Sequence, residues 1–248
     1  MTESGPAPAA TSAGEASVPE GLVDAVVHLV STGPVLLGAY TIAELTAVDA
    51  VVDFLESHPS DEVLAEAVRS LAARQLLLSG DDGNQIQVRG DLGIIVAFQQ
   101  RARAVLDARV TGTGPGEPWR ILLLPQPEGI CLQFRIDALG IHQVGLYQLD
   151  EALDALGKWL PHGSRADTSD PVDADALLAS ADRAALLTVT RYTTQGSAES
   201  AGATTDLVLA RQDDRLHVLA RDPADRSRLI PSPQNGKEMP AVLTGLLA

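Results

Sequence analysis

The chain has 248 residues, 45% hydrophobic but only 3% aromatic, so one large domain or two small ones must build a core from Leu, Val, Ile and Ala. A net charge of −15 repels phosphate backbones and argues against nucleic-acid binding unless a local basic patch overrides the field. The single cysteine, Cys131, excludes an internal disulfide and a cysteine metal cluster, and no apolar run is long enough to span a bilayer.

Residues 1–19 lack the basic and apolar regions of a signal peptide. They are too poor in large apolar side chains to offset chain entropy, so a disordered tail on a cytoplasmic protein is expected. Residues 20–31 suit a helix with Leu22, Val26 and Leu29 on one face. STGP breaks it, and a short strand at Val35–Leu37 follows. Thr41 with Glu44 three residues on makes a capping box. The helix it starts carries Leu45, Val48, Val52 and Leu55 on one stripe and ends at Pro59. Ser60 opens a stronger helix with Val63, Leu64, Ala67, Val68 and Leu71 at the right spacing. SGDDG stops it, Ile86 and Val88 suit a short strand or wing, and residues 92–103 read as helix.

A strand-rich unit then spans 104–160. Ala104, Leu106, Ala108 and Val110 alternate, GTGPGEP turns the chain, and Trp119–Leu124 is an apolar strand. Ile130, Leu132, Phe134 and Ile136 share one face of the next strand, with Cys131, Gln133, Arg135 and Asp137 on the other. Ile141–Tyr147 adds a fourth strand. A helix with Leu149, Leu153, Leu156 and Leu160 on one stripe closes the unit. Residues 161–172 link it to a short helix at Ala174–Arg183. A second unit at 185–248 repeats the pattern: a strand at Leu186–Thr193, a polar loop QGSAESAGA that is expected to be mobile, a hairpin of Thr205–Arg211 and Leu216–Ala220, a strand at 227–230, and a helix from Met239. The expected fold class is therefore α+β. Two quasi-symmetric strand-strand-strand-strand-helix units surround a central antiparallel sheet, after a helical lead-in at residues 20–103.

Most sites that suggest themselves have simpler readings. Gly112, Gly114 and Gly116 precede a strand rather than a helix, which suits a hairpin turn and not a phosphate loop. His28, His58, His142, His162 and His217 lack metal-ligand spacing, and His142 and His217 lie in comparable strands of the two units. Asp81-Asp82 and Asp213-Asp214 sit beside turn signals. Arg211, Arg215, Arg221, Arg226 and Arg228 form a basic stretch, but Asp213, Asp214, Asp222 and Asp225 interleave it. No catalytic group, metal or cofactor is expected. Residues 41–89 have the helix-helix-wing rhythm of a winged helix-turn-helix. Their recognition helix would carry Arg69 and Arg74 against Asp61, Glu62 and Glu66, which is the wrong balance for phosphates.

Three phrases carry a family resemblance. SLAARQLLL (Ser70–Leu78) is similar to an Ala-rich helix end that usually reads Leu-Ala-Ala-Arg-Gly-Leu, with Gln75 where Gly is usual. LYQLDEALDALGKWLP (Leu146–Pro161) is similar to a Leu-rich helix closed by Leu-Pro. TTDLVLARQDDRLHVLA with AVLTGLLA is similar to a terminal hairpin and helix. With the order of elements from about residue 40 onward, the chain resembles the EspG family of type VII (ESX) secretion-associated proteins. It departs in lacking the family's late aromatic-rich hairpin and a tryptophan in the first helix. The resemblance implies a central sheet in two quasi-symmetric halves and a non-enzymatic cytosolic chaperone. Its protein partner would be a helical PPE-type substrate, with no nucleic acid or membrane involved. The mixed sheet face is the expected partner surface, with Gln133 and Arg135 in the first half and Thr188, Thr190 and Tyr192 in the second. A winged-helix transcriptional regulator is the alternative.

Overall fold

The computed structural model describes residues 20–50, 58–79, 86–166, 172–195, 198–222, 224–225 and 228–247. The chain opens with α1 (Glu20–Val30), β1 (Val35–Thr41), α2 (Ile42–Thr46) and α3 (Asp61–Ala73). A hairpin of β2 (Leu77–Ser79) and β3 (Ile86–Val88) leads into α4 (Gly90–Arg101). Four strands follow: β4 (Ala104–Val110), β5 (Arg120–Pro125), β6 (Ile130–Ile136) and β7 (Ile141–Gln148). They are closed by α5 (Leu149–Trp159). After β8 (Ser164–Arg165), β9 (Val172–Asp173) and α6 (Ala174–Ser180), four more strands appear: β10 (Arg183–Gln195), β11 (Ala198–Gln212), β12 (Arg215–Arg221) and β13 (Arg228–Pro231). The helix α7 (Met239–Leu247) closes them. The α+β class expected from the sequence is the one observed.

The main sheet has eleven strands, and its edge-to-edge order is β1-β7-β6-β5-β4-β10-β11-β12-β13-β9, with β8 added beside β12. That order is a palindrome about the β4–β10 seam. In each half an edge strand (β1 or β9) is followed by helix. Four antiparallel strands then run from the seam outward to meet it, and a last helix crosses back. The duplication is thus wider than a four-strand-and-helix unit, because the edge strands and the helices after them belong to it.

Side chains alternate between two covered faces. On the front face, Ile130, Leu132, Phe134 and Ile136 pack with Val26 and Val30 of α1, Leu71 of α3, and Leu92, Ile95 and Phe98 of α4. On the back face, Leu106, Leu123, Cys131, Leu187 and Val189 pack under Leu153 and Leu156 of α5 and Leu243 and Leu246 of α7. A smaller front cluster in the second half holds Leu177 of α6 with Ala184, Val208, Ala210, Leu219 and Leu229. Burial on both faces explains why β5 reads as a continuous apolar run.

Several local expectations are corrected. The apolar stripe of α1 is Val23, Val26 and Val30, while Leu29 is exposed. The strand expected at Val35–Leu37 extends to Thr41, where the capping box forms as anticipated. The helix it caps stops at Thr46 rather than near Pro59. Asp49 adopts φ +55°, and the Ala50 amide donates back to the Leu45 carbonyl, which closes the turn. Val52 and Leu55 lie outside the described residues. The polar segment expected as a mobile loop is largely strand, since Tyr192, Thr193, Thr194 and Gln195 pair with Ala201, Ser200, Glu199 and Ala198. Backbone pairing from the Leu186–Leu187 register carries outward through a bulge and overrides the weak strand propensity of Gly and Ser. The expected linker 161–172 contributes β8 and the start of β9.

Candidate functional site

The seam strands carry charge on a largely apolar front face. Asp107 on β4 is 3% exposed and accepts two hydrogen bonds from Arg120, from Nε at 2.8 Å and from Nη2 at 2.9 Å. Arg109 Nε adds a third at 3.0 Å. Across the seam, Thr188 is the cross-strand partner of Asp107, and its hydroxyl donates to Asp206 Oδ1 at 2.9 Å. The other oxygen of Asp206 lies 3.6 Å from Arg221 Nε. Arg120, Asp107, Thr188, Asp206 and Arg221 thus form a polar band across β5, β4, β10, β11 and β12. The band exists because these residues fall on one side of the strand alternation in aligned registers.

Beside the band lies a half-open cleft of about 460 Å³ between α6 and the β4–β5 end of the sheet. Leu186, Ala184 and Val208 line it from the sheet, Leu178 from α6, and Trp119 from the residue before β5. Arg109 and Arg221, whose side chains are 41% and 43% exposed, also line it, as does Asp175. Trp119 is anchored by its indole Nε1, which donates to the Asp137 carbonyl at 3.0 Å, yet the residue stays 38% exposed. Leu178 is 45% exposed. Near the same end of the sheet, hydrogen bonds from Arg183 and the Gly114 amide hold the Glu117 carboxyl below its usual pKa. The lining is the usual composition of a ligand site, an apolar cleft with a few convergent polar groups.

The residues expected to share one partner surface do not. Gln133 and Arg135 are on the back face, on the side of Cys131, whereas Thr188, Thr190 and Tyr192 are on the front. Gln133 and Thr190 are buried, and Tyr192 packs half-buried against the front core beneath the lead-in helices. Arg135 is exposed, and Thr188 is committed to Asp206. The reason is the seam: the two halves are related across β4–β10, so corresponding strand positions need not share a face. Of the five, only Thr188 belongs to the polar band.

Gly112 turns at φ +70°, and a Cβ there would lie 2.6 Å from the Asp182 carbonyl oxygen, so it serves close backbone packing. Asp213 and Asp214 have φ of +49° and +59°, the signature of a two-residue hairpin turn between β11 and β12. Asp81, Asp82 and Arg226 lie outside the described residues. His142 and His217 both face front, but five strands separate β7 from β12, a distance of roughly 29 Å at about 4.8 Å per strand. Burial lowers the pKa of both. Cys131 is fully buried, and burial pushes its thiol up to about 12. Among the described residues, no group of three or more His, Cys, Asp or Glu could hold a metal, and no helix is long and apolar enough to cross a membrane.

In the helix-helix-wing segment, Glu44 ties α2 to α3. Its carboxylate accepts from the Thr41 amide at 2.9 Å, Ser70 Oγ at 2.8 Å and Arg74 Nη1 at 3.1 Å. Burial alone would raise its pKa, but the bonds from Thr41 and Ser70 and the charge of Arg74 outweigh burial and lower it. Arg74 also lies over the Tyr40 ring, 5.0 Å from its centroid, and Arg69 pairs with Glu66.

The cleft was missed at the level of sequence, though a signal was present. Asp107 and Arg109 interrupt an apolar strand at i and i+2, and charges on one face of a buried strand need partners. No protein-family model matches the chain, and no curated protein matches it.

Proposed function

We propose that this chain is a binding protein rather than an enzyme: a cytoplasmic chaperone that holds a helical type VII (ESX) export substrate of the PE/PPE kind soluble until export. The observation that carries the reading is the palindromic strand order, which supports the two quasi-symmetric halves that the EspG resemblance implies. A second detail supports it. Gln75, which stands where the family phrase has Gly, adopts φ +60° just past the end of α3. Glycine is favoured at that position because a left-handed residue there costs a Cβ-bearing side chain energy. A rigid sheet backed on both faces by helices suits a scaffold that presents surfaces. Exposed Leu36, Ile86 and Leu139 add apolar area for a partner to cover.

The test is co-expression with PE/PPE-like proteins encoded beside this gene, followed by size exclusion. One stable complex is expected. Failure with every such partner would overturn the reading.

A winged-helix regulator is the second reading, favoured by the order α2, α3, β2, β3. Its difficulty is charge. The exposed start of α3 carries Asp61, Glu62 and Glu66, Arg69 is paired with Glu66, and Arg74 with Glu44. Binding of upstream DNA at low salt, where attraction to phosphates is strongest, would favour it; no shift there would remove it.

A further inference from the structure

We propose that the front-face cleft binds a small monocarboxylate with an apolar chain, the chain lying against Leu178, Leu186 and Val208 and the carboxylate on Arg109. This site is separate from the protein-binding role and does not depend on which partner the chain holds. Size is the first ground: about 460 Å³ falls within the roughly 300–1,000 Å³ of small-molecule sites. The second is the lining, which leaves Trp119 and Leu178 substantially exposed on walls that are mostly apolar. Covering such surface is the main source of affinity for an apolar chain.

Charge selects the head group. Buried Arg120 takes both oxygens of Asp107, so that carboxylate already has a full charge partner before Arg109 adds Nε and Nη2 to one of them. Arg109 commits Nε and Nη2 to Asp107, and its side chain remains 41% exposed at the cleft. The triad therefore holds two guanidiniums and one carboxylate. A ligand carboxylate that accepts from Arg109 balances it, and a neutral head group does not. A single carboxylate matches that surplus of one charge, and the second charge of a phosphate does not.

The experiment uses the full chain with Trp159→Phe, which leaves Trp119 as the sole indole, titrated with decanoate and with decanol below micelle-forming concentrations. Trp119 emission should change saturably with one site, and decanoate should bind about tenfold more tightly than decanol, the worth of one charge-assisted hydrogen bond. Arg109→Met should bring decanoate down to the decanol affinity while leaving decanol binding unchanged. Leu178→Glu, at an exposed position that folding tolerates, should weaken both. Circular dichroism confirms that each variant is folded. A folded protein with no saturable response would overturn the proposal, as would decanoate binding that Arg109→Met leaves intact.

Discussion

Replacing Asp107 by Asn tests the polar band at the seam. Asp107 is 3% exposed and Arg120 9%, and the two meet through paired contacts of 2.8 and 2.9 Å. Removing one member of a buried ion pair costs about 3–5 kcal/mol, because the other charge stays desolvated. Arg109 adds little, since its half-exposed guanidinium turns to water at a cost of about 0–1 kcal/mol. We expect Asp107→Asn to lose about 3 kcal/mol. With a urea slope of about 2–3 kcal/mol/M, the unfolding midpoint should fall by about 1 M with unchanged slope. Arg120→Met should cost less, about 1–2 kcal/mol, because Asp107 keeps Arg109 as a partner. Asp107→Leu with Arg120→Met should return to within about 1 kcal/mol of the parent, since apolar replacement of a buried pair is often neutral. A midpoint shift under about 0.3 M for Asp107→Asn, or a double variant as unstable as the single one, would refute the reasoning.

Other expectations follow from individual residues. The folded-state pKa of Glu44 is depressed, so its contribution to stability is full above the unfolded value, near 4.5, and is lost as pH falls through the folded one. Glu44→Gln should therefore flatten the acid limb of stability against pH, and an unchanged limb would contradict the Glu44 cluster. Gln75→Gly should raise stability by about 1 kcal/mol in thermal unfolding by relieving the left-handed backbone, and a loss would contradict a left-handed residue at this helix end. Gly112→Ala should cost more than about 1 kcal/mol, because the added Cβ meets the Asp182 carbonyl oxygen at 2.6 Å. Cys131 should resist a thiol reagent in the native protein and react at once in denaturant; fast native labelling would contradict its burial.

The parts of the fold legible in the sequence were those set by local pattern. Alternation marked Ile130–Ile136, the capping box marked Thr41 and Glu44, and Leu spacing marked α5. What stayed hidden depended on pairing between distant segments. The edge role of β1 rests on its register with β7, more than a hundred residues later. The strand at Ala198–Ser200 rests on its partner β10 and not on the strand propensity of its own Ala-Glu-Ser sequence. The site was less legible than the fold. Face assignment across the seam needs the β4–β10 register, and without it Gln133 and Arg135 were grouped with Thr188, Thr190 and Tyr192, from which the sheet separates them. The cleft needed still more, since it joins α6 to β4 and β5 across some sixty residues of chain.

The solubility of a PE/PPE-like export substrate expressed with and without this chain tests the chaperone proposal most directly. If the protein holds such a substrate, the substrate should stay in the soluble fraction and co-purify with the chain when the two are expressed together, and aggregate when expressed alone. A substrate equally soluble in both cases, or one that aggregates despite an excess of the folded chain, would contradict it.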